Sequence, residues 1–147
     1  MYGMALTMFF LISLVGMSMS MTMDAAESKY EHSVQSLAEN VTVYMAYAKQ
    51  YRDANPGFTG AVSDASLGLP QWYGKQESMQ LFVSGGRAFI YLPSLPDALA
   101  FDAGFYIRER TQLASFGKKA GGQIISADGV VVSVPSQIPN GAFVFVN

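Results

Sequence analysis

Few residues in this chain could drive a reaction. The single histidine, His32, shares a helix neighbourhood with Glu27 and Glu31. That trio combines a base with two carboxylates. A metal site needs more ligands, and the local heptad puts His32 opposite the apolar stripe, facing solvent. Cysteine is absent, which excludes a thiolate nucleophile, a disulfide and an iron–sulfur cluster. No Ser-His-Asp set has a recognisable spacing. The stretch "GKKAGG" from Gly117 to Gly122 sets two lysines among glycines but lacks the Lys-Ser/Thr ending of a phosphate loop, so it reads as an exposed turn. Asp97, Asp102 and Asp128 show no pairing that would make a general acid and base. Arg108-Glu109-Arg110 is a mixed surface cluster. A net charge of −2 supplies no field for nucleic acid. The expectation is therefore no catalytic residue, no metal, no cofactor, no nucleic-acid partner and no enzymatic activity. What remains is the pair Trp72-Tyr73 in "GLPQWY". As two rigid aromatics beside a loop they could anchor a partner, and equally they could fill a groove between helix and sheet.

The elements around these residues follow from periodicity. Tyr30, Val34, Leu37, Val41, Tyr44, Ala48 and Tyr51 recur at alternating spacings of 4 and 3, a 3.5-residue repeat that makes one narrow helical stripe. Neither Pro nor Gly interrupts Met17 to Ala54, and Asn55-Pro56-Gly57 ends the run. The stripe either packs on the chain's own domain or seats a coiled-coil partner. Upstream, Met1 to Met23 carries no charged side chain, and roughly 20 apolar helical residues span a bilayer core. The alternation "MSMSMTM" could read as a strand, and the apolar run as a cleaved signal. No turn signal isolates the alternation, and no basic n-region or small-x-small cleavage site supports the signal. The segment is read as a retained anchor, with Gly16 and Ser20 as a small-residue pair within it.

Beyond Phe58, "AVSDASLGLP" predicts a short helical turn capped by Ser63 and closed by Gly68 and Pro70. "MQLFVS" and "RAFIYL" flank Gly85-Gly86 as a β-hairpin. "SLPDALAFDAGFYIRER" predicts a helix from Pro96 to about Arg108, capped by Ser94. "TQLASF" and "GQIIS" read as a second hairpin, followed by strands in "GVVVSVP" and "GAFVFVN", the last closing or edging the sheet. The predicted fold is α+β: a long N-terminal helix, membrane-spanning in its first part, packed on an antiparallel sheet of five or six strands, with a second helix. The expected organisation is residues 1–23 as a transmembrane anchor, 24–55 as the continuation of the helix beyond the membrane, and 56–147 as an α+β domain.

The N-terminal helix, "GLPQWY" at Gly68 to Tyr73, the helix beginning "LPDAL" and the ending "SVPSQIPNGAFVFVN" together resemble the PilM family of type IVb (thin) pilus biogenesis proteins. The order of elements is also similar to the type IV pilin architecture. Gly3-Met4 resembles a prepilin junction, although Met8 stands where pilins usually place Glu and the leader "MYG" has no basic residue. The resemblance implies a single-pass protein of the bacterial inner membrane, with its C-terminal domain in the periplasm. It implies a scaffolding role through contacts with other pilus assembly proteins and a possible homo-oligomer. It brings no catalytic residues. A secreted binding module with a cleaved N-terminus, or a minor pilin built into the filament, are the alternatives.

Overall fold

Helix α1 runs from Tyr2 to Ala54. The computed structural model describes residues 2–111, 115–126 and 128–147, with side chains from Asp24 onward. The Gly16–Ser20 pair belongs to the side chains outside that description, as do residues 112–114 of the expected strand "TQLASF". The chain forms two compact units, Met1–Ser33 and Val34–Asn147. In the first, Asp24 to Ser33 are all exposed, Tyr30 at 42%.

In the second unit, α1 continues through the predicted stripe. Leu37, Val41, Tyr44 and Ala48 are buried in one core cluster, and Val34 and Tyr51 pack against it. Seven strands follow: β1 (Gly60–Val62), β2 (Gln80–Ser84), β3 (Arg87–Leu92), β4 (Ser115–Ala120), β5 (Gln123–Ile125), β6 (Val131–Ser133) and β7 (Phe143–Val146). Two more helices, α2 (Asp64–Leu67) and α3 (Asp97–Arg110), lie between them in sequence. The strand order is β1-β2-β3-β7-β4-β5-β6, every pair antiparallel. The α+β class is as predicted, with one strand more. The addition is β1, three residues opening on a glycine, too short to carry an alternation.

Side chains alternate between two cores, as a pleated strand requires. Leu81, Val83, Ala88, Ile90, Leu92, Phe143 and Phe145 share a cluster with α1 and with Ala100, Ala103 and Ile107 of α3. Phe82, Phe89, Tyr91, Val144 and Val146 point the other way, into a second cluster with Ile124, Val132, Val134 and Ile138. β4 joins the two regions: Ser115 to Lys118 pair with β7, and Lys119 and Ala120 with β5. Both tight hairpin turns use Gly-Gly, at Gly85-Gly86 and Gly121-Gly122, all four with φ between 57° and 83°, the left-handed backbone such turns demand.

Several expectations are corrected here. The C-terminal strand β7 sits between β3 and β4 rather than at an edge. Its run "FVFV" is apolar on both faces, which suits an interior strand covered on both sides. "GKKA" is strand rather than turn. Lys119 is 4% exposed and its Nζ donates to the carbonyls of Pro135 (3.0 Å) and Ile138, so backbone dipoles replace water around the charge. Pro96, not Ser94, precedes α3 as its N-cap residue. Finally, among the described residues no helix is long and apolar enough to cross a membrane. This overturns the single-pass inner-membrane placement. From Val34 onward most apolar residues of α1 are gathered in a stripe packed in the core with the sheet, with Glu, Lys, Gln, Asn and Ser on the other faces.

Candidate docking surface

The segment "GLPQWYGK" is tied to α1 by a polar clasp centred on Asn40. α2 ends at Gly68 in left-handed conformation, and Leu69 packs against the core. The Tyr73 N–H then donates to the Pro70 carbonyl at 2.9 Å, closing a turn. Asn40 Nδ2 donates to the Gly74 carbonyl at 2.7 Å, and Asn40 Oδ1 accepts from the Gln76 N–H at 3.1 Å. The Tyr73 hydroxyl, 2.9 Å from both Asn40 Oδ1 and the Asn40 carbonyl, shares its one proton between them. One helix side chain thus holds three points of the loop.

Tyr44, the next residue along that helix face, extends the clasp. Its ring stacks on Tyr73 with centroids 6.4 Å apart. Its hydroxyl donates to Asp64 Oδ1 at 2.9 Å, while Lys75 Nζ lies 2.5 Å from Asp64 Oδ2 and donates to the Met79 carbonyl. Burial, then the bond to Asp64 and its negative charge, push the Tyr44 hydroxyl far above the usual phenol range. Burial and the charge of Asp64 do the same to Tyr73. Neither phenol ionises near neutrality, so both serve as neutral donors. A hollow of about 300 Å³ lined by Tyr44, Asp64 and Lys75 carries an ion pair already closed on itself.

Trp72 sits at the outer end of this clasp and is 74% exposed. Its ring meets Tyr73 edge-on at 6.3 Å. Trp72 therefore does not fill the groove between helix and sheet, whereas Tyr73 is half-buried and contributes to it. Two hollows flank the outer face of α1. One, of about 260 Å³, lies between α1 and the Trp72 loop; the other, of about 550 Å³, lies between α1 and α3 and includes Tyr106 and Arg110. Glu39 and Val43 border both. His32, Glu27 and Glu31 are exposed and line neither hollow. Among the described residues no group of three or more acidic, His or Cys side chains could hold a metal.

Sequence reasoning singled out Trp72 and Tyr73 but missed Asn40, Asp64 and Lys75. The available signal was Asn40 itself: three residues after Leu37 and four before Tyr44, it puts an amide on the border of the apolar stripe, where a polar group must find partners.

The PilM family model matches residues 8–146. A crystal structure from Pseudomonas aeruginosa 2192 bearing the PilM name is 29% identical, over 76% of this chain and 92% of that one, with a TM-score of 0.47. Another with that name, from Escherichia coli B7A, is 17% identical over 82% of this chain and 92% of that one, with a TM-score of 0.52, a likeness of fold. No curated protein matches the chain.

Proposed function

We propose, from the premise that this chain belongs to the PilM family of pilus biogenesis proteins, that it is a structural component of pilus assembly that works by docking other assembly proteins. The order of "GLPQWY", "LPDAL" and the C-terminal "SVPSQIPNGAFVFVN" supports the type IVb class. The observation that carries the docking reading is Trp72: a large aromatic, 74% exposed, on a loop fixed to α1 at three points. A loop already held in place loses little backbone freedom on binding, and Trp is among the residue types most enriched at the energetic centre of interfaces. The role is non-enzymatic: it rests on surface shape and anchoring rather than on a reacting group.

Trp72→Ala tests this. The domain keeps its melting temperature within a few degrees, and pilus assembly fails. Normal assembly by the variant would refute the reading.

A second surface suits self-association. Ile125 and Val131 are direct cross-strand partners, and with Val130 they are 53–63% exposed at the β5–β6 end of the sheet, where β6 leaves one edge unpaired. A second copy pairing on β6 would bury them. Light scattering of Val131→Lys against the parent protein reads this directly: concentration-dependent dimers lost in the variant support it, and an unchanged monomer in both refutes it.

A further inference from the structure

We infer that the hollow between Trp72 and α1 receives a basic side chain, lysine or arginine, from the docking partner; the inference rests on the docking reading above and names the chemistry of what docks. The hollow measures about 260 Å³, below the usual range of small-molecule sites and suited to one long side chain. Its walls divide by chemistry. Val43 and Tyr73 provide apolar surface for a methylene stem, and Trp72, 74% exposed, adds an indole, a ring whose π-system attracts cations.

Among the described residues Glu39 is the only charged one lining it. None of the ion pairs among the described residues involves Glu39. Gln35 Nε2 donates to its Oε1 at 2.8 Å, which orients the carboxylate and leaves acceptor capacity to spare. Of the other polar walls, Asn40 and the Tyr73 hydroxyl bond to each other, and Asn40 also to Gly74 and Gln76, while Ser36 adds a neutral hydroxyl. Arg110 lines the adjoining hollow with Glu39. It stacks on Tyr106 with its guanidinium carbon 3.6 Å from the ring centroid, and its nitrogens lie beyond ion-pair distance of Glu39. A carboxylate that lines the same hollow as an exposed indole, and that has no ion-pair partner among the described residues, selects a positive guest and repels an acidic one.

The test is an NMR titration of the isotope-labelled full chain, read at the Trp72 indole N–H and the Ser36 and Gly74 amides. The probes are the blocked tripeptide Ala-Lys-Ala, its norleucine and glutamate counterparts, and chitotriose as a neutral sugar. The lysine peptide saturates in the millimolar range, and norleucine, with the same stem and no charge, binds at least about fivefold more weakly. Glu39→Gln weakens the lysine peptide about threefold with the melting temperature unchanged. Absence of shifts with the lysine peptide, or equal binding of norleucine or chitotriose, overturns the inference. The docking reading fails separately. If the lysine peptide binds as described while Trp72→Ala leaves pilus assembly intact, the hollow stands and docking there does not. If Trp72→Ala abolishes assembly while the lysine peptide leaves the spectrum unmoved, docking stands and the basic guest does not.

Discussion

Replacing Gly104 with alanine sets helix propensity against packing, and the structure decides the sign. Gly104 lies inside α3, where Gly→Ala alone would stabilise by about 1 kcal/mol. A Cβ built there would lie 2.3 Å from Cδ2 and 2.5 Å from Cε2 of Phe116. Carbon atoms in contact prefer about 3.5–4.0 Å, so the ring must retreat by roughly 1.2 Å or more. It has little room. Phe116 is fully buried and meets Phe101, Phe105, Phe143 and Phe145 at centroid distances of 5.2 to 6.5 Å. Overpacking of this severity belongs at the upper end of the usual cost, about 3 kcal/mol, for a net loss of about 2 kcal/mol. For a chain of this length the melting temperature should fall by about 4–8 °C, measured by scanning calorimetry. In a Phe116→Ala background the same alanine should become neutral or stabilising, because every side-chain atom that opposes it beyond Cβ is gone. A rise in melting temperature for Gly104→Ala alone would refute the close-packing account of α3 on β4.

Three further outcomes follow from the packing and the clasp. Leu37→Ala should cost roughly 2–5 kcal/mol in a urea melt, because Leu37 is 7% exposed within the main core; a loss of self-association with stability intact would point to a coiled coil instead. Lys119→Met should cost about 1–3 kcal/mol by the same measurement, since the carbonyls of Pro135 and Ile138 lose a charged donor; a variant at least as stable as the parent would show the buried ammonium to be dispensable. With the Tyr44 and Tyr73 hydroxyls raised above the usual 10.0, their contribution to stability is complete below pH 10 and declines as pH rises further, because unfolded tyrosines then release protons that the folded ones keep. A tyrosinate absorbance titration should show them ionising only with cooperative unfolding; titration of every tyrosine near 10 in a folded domain would contradict the burial.

Periodic and turn-bounded features were readable from the residues. The stripe from Tyr30 to Tyr51 announced a helix with one apolar face, packed in the core from Val34 on while Tyr30 stays exposed, and Gly85-Gly86 between two apolar runs announced a hairpin. The less legible features depend on what lies opposite. "RAFIYL" and "FVFV" are apolar at successive positions, so the run itself does not say which face meets the helices; both do meet a core, through two separate clusters. The interior place of β7 is a matter of strand order, which no local pattern encodes. Lys119 reads as a surface residue because its partners, two backbone carbonyls 16 and 19 residues away, leave no mark in side-chain types. At the docking surface Trp72 and Tyr73 stood out by type. Their opposite fates, one exposed and one half-buried, follow from the Asn40 clasp, which spans more than 30 residues of sequence. The uncharged run at the N-terminus suggested a membrane span by composition alone, and among the described residues no helix meets that requirement.

The central claim is that Trp72 contacts another pilus assembly protein. Its most direct measurement is site-specific photo-crosslinking in pilus-producing cells, with the photoreactive amino acid at position 72 and, as a control, at the exposed Gln137. The account predicts a discrete crosslinked species containing a pilus assembly protein from position 72 and none from 137. Position 72 yielding no crosslink, while the tagged protein is folded and pili form, would contradict it.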